Sequence, residues 1–407
     1  MYPSRSKYWR EYTKKSNVYI VLSLILASYF LAYFHRTMSG ILKPEITAIA
    51  IKNGWDPVKL LSIFSGTYFY TYALAQLIVG PIVDSLGVRR AGFIFLLVMT
   101  FGTLMMSVDD AWVLVIGRLL VGFAASVAYL SFHRASSYYY PKESQGLLTA
   151  VAIVVGNAGS LASTYPLRLM LLKVGMKSTM IFFAAITLLI AIMLFRTDTR
   201  DSRGAFKTNL KTTMNGIKHV LRDTHIYGIG VSGIITYAMV VSFQSSWGQM
   251  FYETLGLSAD ETSKRLLLIP LVLMPTSIIV GYISDDILRI RKPFLLVAGC
   301  LSISSWILLL LAYMKSSSIL ALVGTISLGL TVGFHIVQPA AAKELYPPEI
   351  SASTIALMNV MTFSGISVFN TISPVIGIRS TLLLMLGVSL IGFPFIKLWV
   401  KETLRTS

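Results

Sequence analysis

Apolar residues run along this chain in long, nearly unbroken blocks rather than in the alternating pattern of a half-buried strand or the single stripe of a soluble helix. The blocks are Val18 to Leu42, Leu60 to Ile82, Ala91 to Ser107, Trp112 to Phe132, Gly146 to Met170 and Met176 to Phe195, then Ile226 to Phe251, Leu266 to Ile283, Phe294 to Met314, Ile319 to Ala340, Ser353 to Ile376 and Leu382 to Leu398. Each approaches the roughly 20 residues that a helix needs to cross about 30 Å of hydrocarbon. In lipid only a helix or a closed barrel satisfies its own backbone, and blocks of this length predict helices. The pattern therefore predicts an all-α membrane protein with twelve transmembrane helices.

The twelve blocks fall six and six about the hydrophilic stretch Arg196 to Thr224, which is basic and amphipathic and suits a helix at the membrane surface. The expected organisation is an N-terminal segment over 1–17, a six-helix bundle over 18–195, a central loop over 196–224, a second bundle over 225–400 and a tail over 401–407. Internal echoes support this division. Gly80 and Asp84 at the end of the second block recur as Gly281 and Asp285 at the end of the eighth, and Tyr140-Pro141 before the fifth recurs as Tyr346-Pro347 before the eleventh. Repetition at about 200 residues is expected of two pseudo-symmetric six-helix bundles related by an axis along the membrane normal.

Composition sharpens the picture. Of 407 residues 55% are hydrophobic and 13% charged, and the formal net charge is +17. The basic residues concentrate in the N-terminal segment, the central loop, the tail and alternate loops, while the opposite loops hold fewer, among them Lys43, Lys52, Lys59, Lys173 and Lys177. By the positive-inside rule both termini and the central loop face the cytoplasm of a cell membrane. The charge thus meets anionic lipid headgroups and excludes nucleic acid as a partner. The leader and first block are too long for a signal peptide and predict a retained span. With Cys300 as the lone cysteine, no internal disulfide or CxxC pair exists, and there is no metal-ligand spacing, no nucleotide-binding GxxxxGK[ST] loop and no nucleophile-base pair. No cofactor or enzymatic activity is expected.

The segment Gly80-Pro-Ile-Val-Asp84-Ser-Leu-Gly87-Val-Arg89-Arg90 resembles the signature of the major facilitator superfamily between spans 2 and 3, and Arg118-Leu-Leu-Val-Gly122 resembles that superfamily's span-4 motif. In the second half Gly281, Asp285 and Arg291 keep part of the first motif. The resemblance implies alternating access between two bundles, a latch at Asp84 with Arg89 and Arg90, a weaker copy at Asp285 with Arg291, and a relay or gate at Arg118. The plain alternatives are a tight turn with topogenic arginines and, for Arg118, a structural hydrogen bond.

The spans contain no carboxylate; every acid falls in a loop or at a span end. An ionisable group inside a membrane is costly unless it serves a function, which singles out Arg36 and Arg118, with His35 and His335 as candidates for carrying a coupling proton. Tyr29, Tyr33 and Arg36 share one helix face, so that a guanidinium able to bind a carboxylate two-pronged sits beside phenol donors. Tyr33-Phe-His-Arg36 resembles span 1 of the organic-anion and sugar-phosphate permease-like branch, where the arginine contacts the substrate anion; the second arginine that this branch's phosphate exchangers carry in span 7 is missing here. Candidate substrate contacts are Arg36, Tyr33, Tyr29, Tyr68, Tyr72, Gln76, Gln244, Trp247, His335, Gln338 and Asn359. Such polar residues also serve as glue between membrane helices. The expected function is secondary active transport of a small organic anion, a carboxylate or sugar-acid-like metabolite, coupled to protons by superfamily habit, by a monomer. The alternatives are export of amphipathic drugs and metabolite sensing.

Overall fold

The computed structural model describes residues 18–139, 145–197, 218, 220–346 and 351–403, and within them the chain is helical between short turns. Helix α1 spans Val18–Thr37 and is followed by a short helix, α2, Lys43–Lys52. Then α3, Pro57–Met105, carries two expected spans, because the backbone stays helical on both sides of Gly87. Asp56 starts it by accepting the Lys59 amide at 2.7 Å, with Pro57 pre-set for the first turn. At Gly87 φ is +78°, a conformation that costs a side chain and that reverses the chain between the two spans. This second glycine of the sequence motif is thus a hinge of backbone geometry. Helices α4, Ala111–Tyr139, α5, Gln145–Ala162, and α6, Tyr165–Arg196, complete the first half.

The second half opens with α7, Thr224–Thr254, which contains two π turns, Ile234–Ala238 and Phe243–Trp247. It continues through α8, Ala259–Ile287, α9, Lys292–Met314, α10, Ser318–His335, α11, Gln338–Glu344, α12, Ser351–Ile376, and α13, Ile378–Trp399. Nine helices among the described residues are long and apolar enough to cross a membrane, and the remaining expected spans run through the first part of α3, α5 and α12. The expected surface helix of the central loop and the Tyr140-Pro141 echo lie outside the described residues, as do the side chains of Gly80 and Asp84.

Burial is inverted relative to a soluble domain. Large apolar side chains such as Leu74, Phe101, Leu189, Ile279, Ile319 and Ile391 are exposed around the bundle, where lipid would cover them. Serine, threonine, tyrosine and glutamine side chains are buried between the helices, and most spend their donors on a backbone carbonyl three or four residues back, as Thr37, Thr100 and Thr236 do.

The halves meet at the end of the bundle away from the chain termini. There Gly40 donates its amide to Ser245 at 2.7 Å, Ser62 donates to the Thr371 carbonyl, and Asn370 donates to the Ser65 carbonyl at 3.3 Å. Two ion pairs reinforce this seam: Lys43 with Glu253, and Arg168 with Asp260 at 3.1 Å, while Arg168 also holds Glu45 of its own half at 3.2 Å. At the other end Arg291 pairs with Asp285 and Glu344, and Glu402 of the tail accepts the Arg291 and Lys292 amides, fastening the second half to itself.

Burial raises the Glu45 carboxyl above its ordinary range, against the pull of its own backbone amide and of Arg168. Opening the seam would return Glu45 to water, so the closed state binds the extra proton and is favoured as pH falls. Distances measured by paired spin labels on the loops after α3 and α9 should shorten between about pH 7 and about pH 5. The shift should vanish in Glu45→Gln; a wild-type distance that ignores pH contradicts this assignment of the seam.

Candidate functional site

On the terminal side of the seam, toward the C-terminal end of α1, this helix presents its polar face to α7. Tyr29 donates its hydroxyl to Tyr33 at 2.8 Å, and the Arg36 guanidinium carbon lies 3.5 Å over the Tyr33 ring. The three residues expected to share a face therefore do so. They fit closely because α5 offers Gly156 there: a Cβ on it would come within 2.9 Å of the Tyr29 ring and 3.2 Å of Tyr33. Tyr129 of α4 packs on Tyr29 with ring centres 5.9 Å apart.

Arg36 is 5% exposed, its Nε has no hydrogen-bond partner, and it forms no ion pair with any described residue. From the second half Tyr237 closes on it, with its ring centre 5.7 Å from the guanidinium carbon. Tyr237 in turn stacks on His335 of α10 at 4.9 Å, and Nδ1 of that histidine lies 2.9 Å from the Thr236 hydroxyl. Stacking on the Tyr33 ring satisfies one face of the guanidinium, and its unpaired Nε–H is left for a planar anion.

Several other expected contacts are near this cluster. Tyr72 packs on Phe363 of α12 at 4.5 Å and on Tyr68 at 6.1 Å. Tyr68 offers only its ring, because its hydroxyl is spent on the Ala32 carbonyl at 2.8 Å. Gln338 donates to the Ile229 carbonyl at 2.6 Å and leaves its Oε1 unpaired, as Gln244 leaves its Nε2. Gln76 is buried and directed at the Ser126 carbonyl at 3.5 Å. Asn359 is half-buried one turn from Thr362, whose hydroxyl is buried and unpaired.

One expected contact, Trp247, and one expected proton carrier, His35, are elsewhere. Trp247 is wholly buried in the packing of the second half, 4.8 Å from Phe243 and 5.9 Å from Trp306, with its Nε1 donating to Ser242. Gln244 and Trp247 both belong to the second π turn, Phe243–Trp247. His35 points away from Arg36 toward α3, with Nε2 3.3 Å from the Thr103 hydroxyl.

Arg118 differs in kind from Arg36. It is fully buried and donates to the His35 carbonyl at 2.5 Å, to Ser39 at 2.7 Å and to the Phe64 carbonyl at 3.4 Å, with Tyr68 and Phe64 rings over its carbon at 4.6 and 4.8 Å. It ties α4 to α1 and α3. Of the motif residues, Arg89 reaches the Thr197 carbonyl at 3.2 Å and Phe195, Arg90 is exposed, Asp285 and Arg291 are brought together, and Gly281 has open space around it.

The residue that sequence reading left out of the site is Tyr237. Its spacing from Gln244, seven residues on, marks a shared helical face, but the π turn that aims it at Arg36 has no signature in the sequence.

Two bundles of membrane helices that enclose a buried, unpaired cation and are fastened to each other at one end define a transport protein. The sequence profile of the Major Facilitator Superfamily matches residues 25–370, and the chain belongs to that family. Among solved structures, the crystal structure of a D-xylose-proton symporter superimposes with a TM-score of 0.75 at 15% identity, covering 95% of this chain and 99% of that one. A bacterial homolog of the human lysosomal transporter Spinster, inward-facing and unoccupied, gives 0.73 at 13% identity over 96% and 98%. At these identities the likeness is one of fold. No curated protein sequence matches the chain.

The two arginines should respond differently to removal. Arg118→Met strips donors from two carbonyls and a hydroxyl, each bond to a charged donor being worth about 1.5–3 kcal/mol. Detergent-solubilised Arg118→Met is expected to melt well below wild type and Arg36→Ala close to it. Equal melting of Arg118→Met and wild type would show that Arg118 is not structural.

Proposed function

We propose that this Major Facilitator Superfamily protein moves a small organic anion, a carboxylate or sugar-acid-like metabolite, across a cell membrane by alternating access. The observation that carries the proposal is Arg36: a buried guanidinium, braced by Tyr33 and Tyr237, without a carboxylate partner among the described residues. Burying such a charge is costly, and a ligand of opposite charge offsets that cost. A single arginine with glutamine and tyrosine around it suits a monocarboxylate better than a phosphate, which commonly draws two bases. The same lack of a nearby carboxylate counts against cationic amphiphiles and hence against drug export.

Alternating access fits the distribution of contacts, since the bonds between halves gather beyond Arg36 at one end. On the loop charges, the end with the termini faces the cytoplasm of a plasma membrane, and the seam faces outward. Of the two histidines named for a coupling proton, His335 stacks on Tyr237 at the site and His35 faces α3.

Reconstituted in liposomes, the protein should take up a labelled carboxylate against a gradient. Arg36→Ala should lower uptake about ten- to a hundredfold, the scale of a lost charge-assisted pair, while folding is retained. Uptake that survives Arg36→Ala with unchanged affinity refutes the site.

A further inference from the structure

The proton positions around His335 can be assigned from its neighbours. The Thr236 hydroxyl lies 2.7 Å from the Ser232 carbonyl, which can only accept, so the one Thr236 proton is spent there. With that proton on the Ser232 carbonyl the Thr236 oxygen accepts toward His335, which assigns the ring proton to Nδ1 at 2.9 Å. The neutral ring consequently offers a bare lone pair at Nε2, which has no protein partner among the described residues.

Two further acceptors gather on the same side. Gln338 turns its Nε2 to the Ile229 carbonyl, which fixes the amide orientation and leaves Oε1 buried and unpaired. Thr362 has a buried, unpaired hydroxyl, and it meets Gln338 over Gly233, where a Cβ would press on the Thr362 oxygen and come within 2.6 Å of the Gln338 nitrogen. Gly233 lies one helical turn from Tyr237 along α7. Among the donors, Arg36 Nε and Gln244 Nε2 are buried and unpaired. Tyr237 touches both groups, through Arg36 and through His335.

Around Tyr237 the site thus offers a positively charged donor at Arg36 and acceptors at His335 and Gln338. Buried polar groups left without partners cost free energy, so a ligand that meets both sets is favoured over one that meets a single set. We propose that the substrate is a carboxylate bearing a hydrogen-bond donor, a hydroxyl or an N–H, with the carboxylate on Arg36 and the donor on His335 Nε2, backed by Gln338. This rests on the anion reading above and narrows it: a simple fatty or aromatic acid leaves the acceptor side unpaired. His335 is then a residue that determines specificity.

Calorimetric binding to the purified full-length chain, with matched pairs of acids, tests this. The pairs are lactate and propionate, mandelate and phenylacetate, and gluconate and hexanoate. The hydroxylated member of at least one pair should bind about tenfold or more tightly than its partner. His335→Phe keeps a ring against Tyr237 but removes the acceptor; it should close that gap, the hydroxylated acid losing at least about tenfold more affinity than its plain partner. Arg36→Ala should remove binding of both members. Equal affinities within every pair, with binding still lost in Arg36→Ala, overturn the donor requirement and leave the anion reading standing, as does a gap that survives His335→Phe. If no acid of any pair binds, or if binding persists in Arg36→Ala, the anion reading itself fails and this inference with it.

Discussion

The arrangement of this protein turns on one guanidinium held inside the membrane without a counter-charge among its described neighbours. Arg36 keeps its place because Tyr33 lies under it at 3.5 Å and Tyr237 approaches from the opposite half. Neither ring neutralises it. The charge is therefore a standing cost, which on the proposed function a bound anion relieves, and the features around it follow from keeping that cost localised. Tyr29 is hydrogen-bonded to Tyr33, Gly156 makes room for both rings, and Tyr237 is braced on the back by His335.

Because Tyr33 and Tyr237 belong to different halves, whatever occupies the site touches both bundles at once. Beyond it the halves are joined by backbone-level bonds at Gly40 with Ser245 and at Ser65 with Asn370, and by ion pairs at Lys43 and Arg168. Such contacts can be exchanged for water at modest cost, unlike the close packing within a half, where Arg118 is bonded to His35 on α1, Phe64 on α3 and Ser39 in the turn after α1. This difference in kind lets each half move as a body while the seam opens and closes.

Much of the fold was legible because lipid leaves the backbone so few options. Twelve apolar blocks, a hydrophilic middle and the echo of Gly80-Asp84 in Gly281-Asp285 lead to the observed family fold, although Gly87 alone separates two spans that otherwise run as one helix. The site was legible on α1, where regular helical spacing places Tyr29, Tyr33 and Arg36 together. It was less so on α7. Two π turns shift the register there, so that Tyr237 enters the site and Trp247 leaves it for the aromatic packing around Trp306. Arg36 and Arg118 look alike in the sequence as bases within spans; only the carbonyls of His35 and Phe64 against Arg118 tell the structural one from the unpaired one.

The most direct test of the account is which charge of ligand stabilises the purified protein. In thermal melting against panels of monocarboxylates, sugar acids, phosphates and cationic amphiphiles, a ligand that binds the folded state raises the melting temperature. The account predicts saturable stabilisation by at least one monocarboxylate or sugar acid and none by the cations. Stabilisation by cationic amphiphiles with no response to any carboxylate or sugar acid would contradict it.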